Sequence, residues 1–173
     1  MENLNIMEYA LSLGSNLGNR LTNLSKAKKL LSHKLNAEVL DQSSVYETAP
    51  VGVQPQYEEL QYLNTVLILQ TDASPENVLQ TIHSIEADMG RIRTADRCAP
   101  RPIDIDILYA GNTISDCEDL ELPHPRWSER RFVVQPLAEA RPNLILPNTH
   151  QTVAETLKNL PDIPKVTHFT TEW

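Results

Sequence analysis

R-I-R-T-A-D-R-C-A-P-R-P-I-D-I-D-I-L, residues 91–108, is the stretch whose pattern decides how this chain is built. Its second half alternates Asp104 and Asp106 with Ile103, Ile105 and Ile107, and Leu108 and Tyr109 follow. A period of two is that of a strand, so side chains at i and i+2 leave the same face. The two aspartates therefore share a face, with Cα atoms about 6–7 Å apart from the rise per residue. Paired carboxylates repel each other unless a cation lies between them. Hard divalent ions such as Mg2+ are held by one or two carboxylates plus substrate phosphates. Four arginines, Arg91, Arg93, Arg97 and Arg101, come just before the pair, and the guanidinium fork matches phosphate oxygens. A lone D-x-D is more often a solvated strand face. Here the aspartates, set among isoleucines, and the crowded arginines both need counter-ions, which points to phosphoryl-group transfer from a nucleotide.

Working outward, Ser74 is expected to cap a helix with Pro75 in its first turn and Asn77 nearby. That helix runs to about Met89, with Val78, Ile82, Ile85 and Met89 on one face, and stops at Gly90. Before it, Y-L-N-T-V-L-I-L-Q, residues 62–70, is rich in strand formers. Residues 48–61 carry Pro50, Gly52 and Pro55 and form a long loop, a feature usually functional or mobile in compact domains. Residues 38–47 are mostly strand-like. Leu21, Leu24, Ala27, Lys28, Leu31 and Leu35 keep helical spacing over residues 21–35. Residues 9–13 are a strand that ends at Gly14, and G-S-N-L-G-N, residues 14–19, is a turn. The order is β-α-β-β-α-β, an α+β chain of ferredoxin-like arrangement. Beyond it, Gly111-Asn112 is a hairpin turn into an added strand at 113–115. Helices over about 129–140 and 152–160 complete a single domain, residues 1–173.

The 173 residues carry a net charge of −8. This argues against general nucleic-acid binding, which a large basic surface drives. The arginines are a positive island suited to a small anion. Two cysteines, Cys98 and Cys117, make no disulfide framework and fit a reducing compartment. No window has the apolar length of a membrane span, and the acidic start M-E-N-L-N-I-M-E is too polar for a signal peptide. A cytoplasmic monomer with no nucleic-acid or membrane partner is expected. The P-loop pattern, the G-x-S-x-G elbow and H-E-x-x-H are all absent.

A second cluster is L-P-H-P-R-W-S-E-R-R-F-V-V-Q-P-L, residues 122–137. His124 sits on a loop stiffened by two prolines, and Arg126, Arg130 and Arg131 lie near a helix start. The cluster reads equally as further phosphate contacts or as a capped surface loop. Core is the commoner fate for Trp127 and Phe132. Tyr62 and Asn64 share a strand face, where a ring and an amide can hold a flat heterocycle or simply form an ordinary strand surface. Glu86 lies one residue beyond the apolar stripe of its helix, either solvated or bracing an arginine.

Taken together, L-G-S-N-L-G, Y-E-T-A-P-V-G, Y-L-N-T, I-E-x-x-x-G-R-I-R, A-P-R-P-I-D-I-D-I-L and P-H-P-R-x-x-E-R-x-F-V-x-x-P-L follow in order from Tyr9 to about Pro147. In this the sequence resembles the 6-hydroxymethyl-7,8-dihydropterin pyrophosphokinase family of folate biosynthesis. The resemblance implies a ferredoxin-like α/β sandwich and transfer of a pyrophosphoryl group from ATP to the pterin hydroxymethyl oxygen, with AMP leaving. It implies that Asp104 and Asp106 hold two Mg2+ ions. Arg91, Arg93 and Arg101 are then catalytic arginines that contact ATP with His124 and Arg130, and Glu86 belongs to the same site. Tyr62 and Phe132 sandwich the pterin, while Asn64, Thr48 and the backbone around Val51 bond its edge. Loops 14–19, 48–61 and 90–102 are implied to close over the substrates. The chain departs from the family at Cys98-Ala99, where many members have Trp-Gly. A polymerase-β-type nucleotidyltransferase also pairs a Gly-Ser turn with D-x-D, but its turn lies close to the carboxylates, whereas Gly14-Ser15 is far upstream of Asp104. A pterin- or nucleotide-binding regulator without turnover is the non-enzyme alternative.

Overall fold

The computed structural model describes residues 6–92, 95–96 and 98–173. In chain order the elements are β1 (Met7–Ser15), α1 (Arg20–Lys34), β2 (Glu38–Gln42), β3 (Val45–Thr48), β4 (Tyr62–Thr71), α2 (Pro75–Asp88), β5 (Asp104–Ala110), β6 (Ser115–Cys117), β7 (Leu120–Leu122), α3 (Arg131–Ala140), α4 (Val153–Asn159) and β8 (Val166–Thr170). The main sheet runs β5-β1-β4-β3-β8, with β2 also pairing β4. All of its pairings are antiparallel. Without β8 and α3–α4, this is the expected βαββαβ core.

One face of the sheet packs Leu11, Leu13, Leu63, Leu67, Leu69, Ile105 and Ile107 against Leu24, Ala27 and Leu31 of α1 and Val78, Ile82 and Ile85 of α2. These are the apolar stripes of the two helices. The other face packs Ala10, Val66, Ile68 and Leu108 against Val133, Val134 and Leu137 of α3 and Val153 of α4. The helix ends follow their sequence signals. The Ser74 side chain accepts from Asn77 N, with Pro75 opening α2, and α4 begins in a Thr152/Glu155 capping box.

Four details depart from the sequence reading. The strand over 38–47 is broken in two at Ser43-Ser44. The Ser43 N–H donates to the Val66 carbonyl and its Oγ accepts from Val66 N, both at 2.9 Å, so one serine occupies two ladder positions. The Glu139 carboxylate takes the Ser44 N–H at 3.1 Å. The turn after β5 forms, with Thr113 N donating to the Ala110 carbonyl at 2.9 Å, but the added hairpin is β6–β7 rather than a strand at 113–115 returned onto β5. Residues 127–129 are a separate 3-10 turn ahead of α3. Finally, β8 extends the sheet by pairing with β3. Its signal was the β-forming run V-T-H-F-T.

Candidate active site

The strand register explains why the polar residues gather. Gly14 of β1 lies opposite Asp104 and Ser12 opposite Asp106. Gly14 also lies opposite Asn64 and Ser12 opposite Val66. Tyr46 faces Asn64 and Thr48 faces Tyr62. Residues directly opposed in a ladder share a face, so Asp104, Asp106, Ser12, Gly14, Asn64, Tyr62 and Thr48 belong to the α3 side of the sheet. Farther along the same strands that face turns to Ala10, Val66, Ile68 and Leu108, which α3 and α4 cover. The helices bury the apolar end and leave the polar end as a cleft.

Asp104 is held by two arginines. Arg91 Nη1 lies 2.5 Å from its Oδ1 and Arg101 Nη1 lies 3.1 Å from its Oδ2. Glu86 is only 2% exposed. Its Oε1 accepts from Arg91 Nη1 at 2.5 Å and from the Ile105 N–H at 2.9 Å. It therefore braces an arginine, as one of the two sequence readings had it, and also caps the outer N–H of edge strand β5. Burial lowers the Arg91 pKa, but the charges of Asp104 and Glu86 more than offset this and hold it above its usual value.

Asp106 is different. Its carboxyl is pushed up to about 6, first by desolvation and then by the charge of Asp104, against the pull of Arg130, Arg91 and Arg101. The side chain is still 44% exposed, so the desolvation reflects the depth of the cleft rather than a closed surface. His124 Nε2 is 4.0 Å from Asp106 Oδ2. The Arg126 N–H donates to His124 Nδ1 at 3.1 Å, so a neutral imidazole carries its proton on Nε2, toward Asp106. Burial first, then the charges of Arg130 and Arg126, lower the His124 pKa and favour that neutral form. Two carboxylates on one face, one of them short of positive charge, are hard oxygen donors that suit Mg2+. Among the described residues no group of three or more His, Cys, Asp or Glu is gathered for a metal. Phosphate oxygens and water would therefore complete the coordination, as Mg2+ prefers.

Beside the charged cluster, the Asn64 Nδ2 donates to Thr48 Oγ1 at 2.8 Å, and both residues are buried. A Cβ on Gly14 would lie 3.3 Å from Asn64 Oδ1 and 3.8 Å from Tyr62 Cδ1. Gly14 thus keeps open the space between the amide and the aspartates, a role the sequence reading missed because a glycine before a turn has a sufficient structural reason. The Tyr62 hydroxyl has its pKa raised, chiefly by burial. Phe132 is half-buried at the head of α3, with the Arg130 guanidinium 5.8 Å from its ring centroid, whereas Trp127 is core. Val51 stands out in solvent, 62% exposed. Arg93 and Arg97 lie outside the described residues. The loops meet over the cleft, where Gln54 Nε2 donates to Asp96 Oδ2 at 3.1 Å and the Cys98 thiol donates to the Gly52 carbonyl at 3.5 Å.

Comparison with known proteins bears on this arrangement. The profile of the 7,8-dihydro-6-hydroxymethylpterin-pyrophosphokinase family matches residues 10–142, which take in the βαββαβ core from within β1 onward. This chain belongs to that family. The pyrophosphokinase relatives include the Haemophilus influenzae 2-amino-4-hydroxy-6-hydroxymethyldihydropteridine pyrophosphokinase, 37% identical over 152 residues, covering 88% of this chain and 92% of that one. The folic acid synthesis protein fol1 of Schizosaccharomyces pombe is 40% identical over 152 residues. There the match covers 87% of this chain but only 20% of the relative, so the chain spans about a fifth of that protein. In structure, Plasmodium falciparum HPPK-DHPS with pterin and p-hydroxybenzoate superposes with a TM-score of 0.71 at 15% identity, over 91% of this chain and 44% of the other. That likeness supports the fold. Among the described residues no helix is long and apolar enough to cross a membrane.

Proposed function

We propose that this chain transfers a pyrophosphoryl group from ATP to the hydroxymethyl oxygen of 6-hydroxymethyl-7,8-dihydropterin, as a single pyrophosphokinase domain in folate biosynthesis. The observation that carries the reading is the register that sets Asp104 across Gly14 from Asn64, with Asp106 next on the same face and Arg91, Arg101, His124 and Arg130 near the carboxylates. A carboxylate and arginine cluster beside the Asn64–Thr48 pair supports the reading, and so do the pyrophosphokinase relatives.

In the proposed reaction the pterin oxygen attacks the β-phosphorus and the bond from that phosphorus to the AMP oxygen breaks. The hydroxyl proton passes to water, and AMP leaves with the electron pair. Bound Mg2+, held by Asp104 and Asp106 and expected as two ions, supplies charge neutralisation of the phosphates. The rest falls to the protein as positioning and electrostatics. Asn64, oriented by Thr48, bonds the pterin edge together with backbone near Val51, and Tyr62 and Phe132 flank the ring. Arg91 and Arg101, which bond Asp104 in the free protein, turn to phosphate oxygens when ATP is present. Arg93 joins them on the same loop. His124 donates its Nε2–H to a phosphate oxygen while neutral. Glu86 holds Arg91 from behind within the ATP site. The contacts between loops 48–61 and 90–102 exclude water when closed.

The test is Asp106→Ala assayed with saturating Mg2+, ATP and the pterin. Turnover should fall at least about 100-fold while the circular dichroism spectrum and cooperative melting are kept. Near-normal turnover would remove the metal assignment.

A further inference from the structure

Arg101 is one of the two arginines on Asp104, and its main chain is held by a single residue of turn 14–19. The Asn16 N–H donates to the Arg101 carbonyl at 3.3 Å, and the Arg101 N–H donates to Asn16 Oδ1 at 2.8 Å. The register explains why a side chain is needed. If the pairing of Gly14 with Asp104 continued by two residues, Asn16 would meet Pro102. Proline has no N–H, so the ladder cannot go on. The Asn16 side chain supplies the acceptor that the strand backbone no longer provides, one residue earlier.

Asn16 is itself fixed. Ser15 is fully buried, and the Asn23 amide donates to Ser15 Oγ at 3.3 Å and to the Leu17 carbonyl at 2.9 Å. Asn19 caps α1 through Thr22 N at 3.1 Å, and Gly18 takes the positive φ of 69° that the turn requires. The contacts made by Asn16 are unusual in one respect. The residue is 4% exposed, yet its Nδ2 has no hydrogen-bond partner among the described residues. The oxygen is turned to the Arg101 N–H, so the amide nitrogen is left unpaired at a cost in stability. An apolar side chain would avoid that cost but leave the Arg101 N–H without its acceptor. A buried amide kept at a stability penalty fits a role in the site rather than in the core.

We propose that Asn16 is a positioning residue for Arg101, setting the guanidinium over the carboxylate pair through a two-point grip on its main chain. The inference rests on the pyrophosphoryl-transfer reading and deepens it. With the Asn16 side chain removed, only the main-chain N–H still holds Arg101, and its guanidinium samples geometries other than the one that reaches phosphate. Misplacement of about 1 Å in such a group costs about 100-fold in rate.

The test is a double-mutant cycle on kcat and on kcat/KM for ATP, with Asn16→Ala, Arg101→Ala and the double variant. Asn16→Ala should lower kcat about 10- to 100-fold, leave pterin binding within about two-fold and keep a cooperative melt. In the Arg101→Ala background the same change should have no further effect, because its target is gone. Should Asn16→Ala fail to fold, Asn16→Ser, too short to reach the Arg101 N–H, replaces it in the same cycle. Independent, multiplying losses would overturn the inference, and so would an unchanged kcat in the single variant. No AMP from the parent protein would instead overturn the pyrophosphoryl reading, so the two failures are distinguishable.

Discussion

Asp106 carries the clearest residue-level consequence. Its folded pKa of about 6 lies above the usual 3.8, so the folded state binds the proton more tightly than the unfolded chain. Below the lower value both states are protonated and there is no effect. As pH rises from about 4 to 6 the unfolded chain ionises first, and folding loses stability by the linkage relation. Above 6 the penalty is complete. Replacing Asp106 by Asn should therefore raise the melting temperature of the ligand-free protein at pH 7.5 and leave it unchanged at pH 4. Because the side chain is 44% exposed, the gain should be only about 1–3 °C. A less stable Asn variant at pH 7.5 would contradict the stated origin of the shift. The aspartates were legible in the sequence because alternation with isoleucine assigns a face without any structure. Gly14 and Asn16 were not. Their roles depend on which residues lie across the strand and where Pro102 stops the ladder, and neither follows from local pattern.

At the level of elements, Glu86 joins α2 to β5. Strand β5 is the edge of the sheet, and exposed edges leave unpaired N–H groups. The Glu86 carboxylate takes the Ile105 N–H while neutralising Arg91. Glu86→Ala leaves the Ile105 N–H without its acceptor and Arg91 with Asp104 as its remaining carboxylate among the described residues, and removing one partner of a buried pair costs about 3–5 kcal/mol. Urea unfolding should show that loss in the midpoint, and turnover should fall with it as Arg91 is released. An unchanged midpoint would mean that water replaces the carboxylate at no cost. The helices and long strands were readable because their apolar periods are long and their caps explicit, as in Ser74-Pro75. The break at Ser43-Ser44 and strand β8 were not. A serine that bonds as if it were two backbone positions looks like any strand residue, and β8 is short and depends on pairing with β3.

On the scale of the whole molecule, the site exists because the second helical layer is shorter than the sheet it covers. From one end to the other, β1 presents Gly14, Ser12 and Ala10 to that layer, β4 presents Asn64, Val66 and Ile68, and β5 presents Asp104, Asp106 and Leu108. Three strands change from polar to apolar along one face, and α3 with α4 cover the apolar part. This explains how a −8 chain presents a local positive rim, since Arg91, Arg101 and Arg130 lie near the exposed carboxylates. The order of the core elements was legible. The placement of the C-terminal segment was not, because it is fixed by contacts distant in sequence, such as the Trp173 indole N–H on the Ser43 carbonyl at 2.9 Å. The most direct test of the account is the nucleotide product formed from ATP and Mg2+ with and without 6-hydroxymethyl-7,8-dihydropterin. The account predicts AMP, formed only when the pterin is present and in equal amount to the pyrophosphorylated pterin. ADP, or AMP released without pterin, would contradict it.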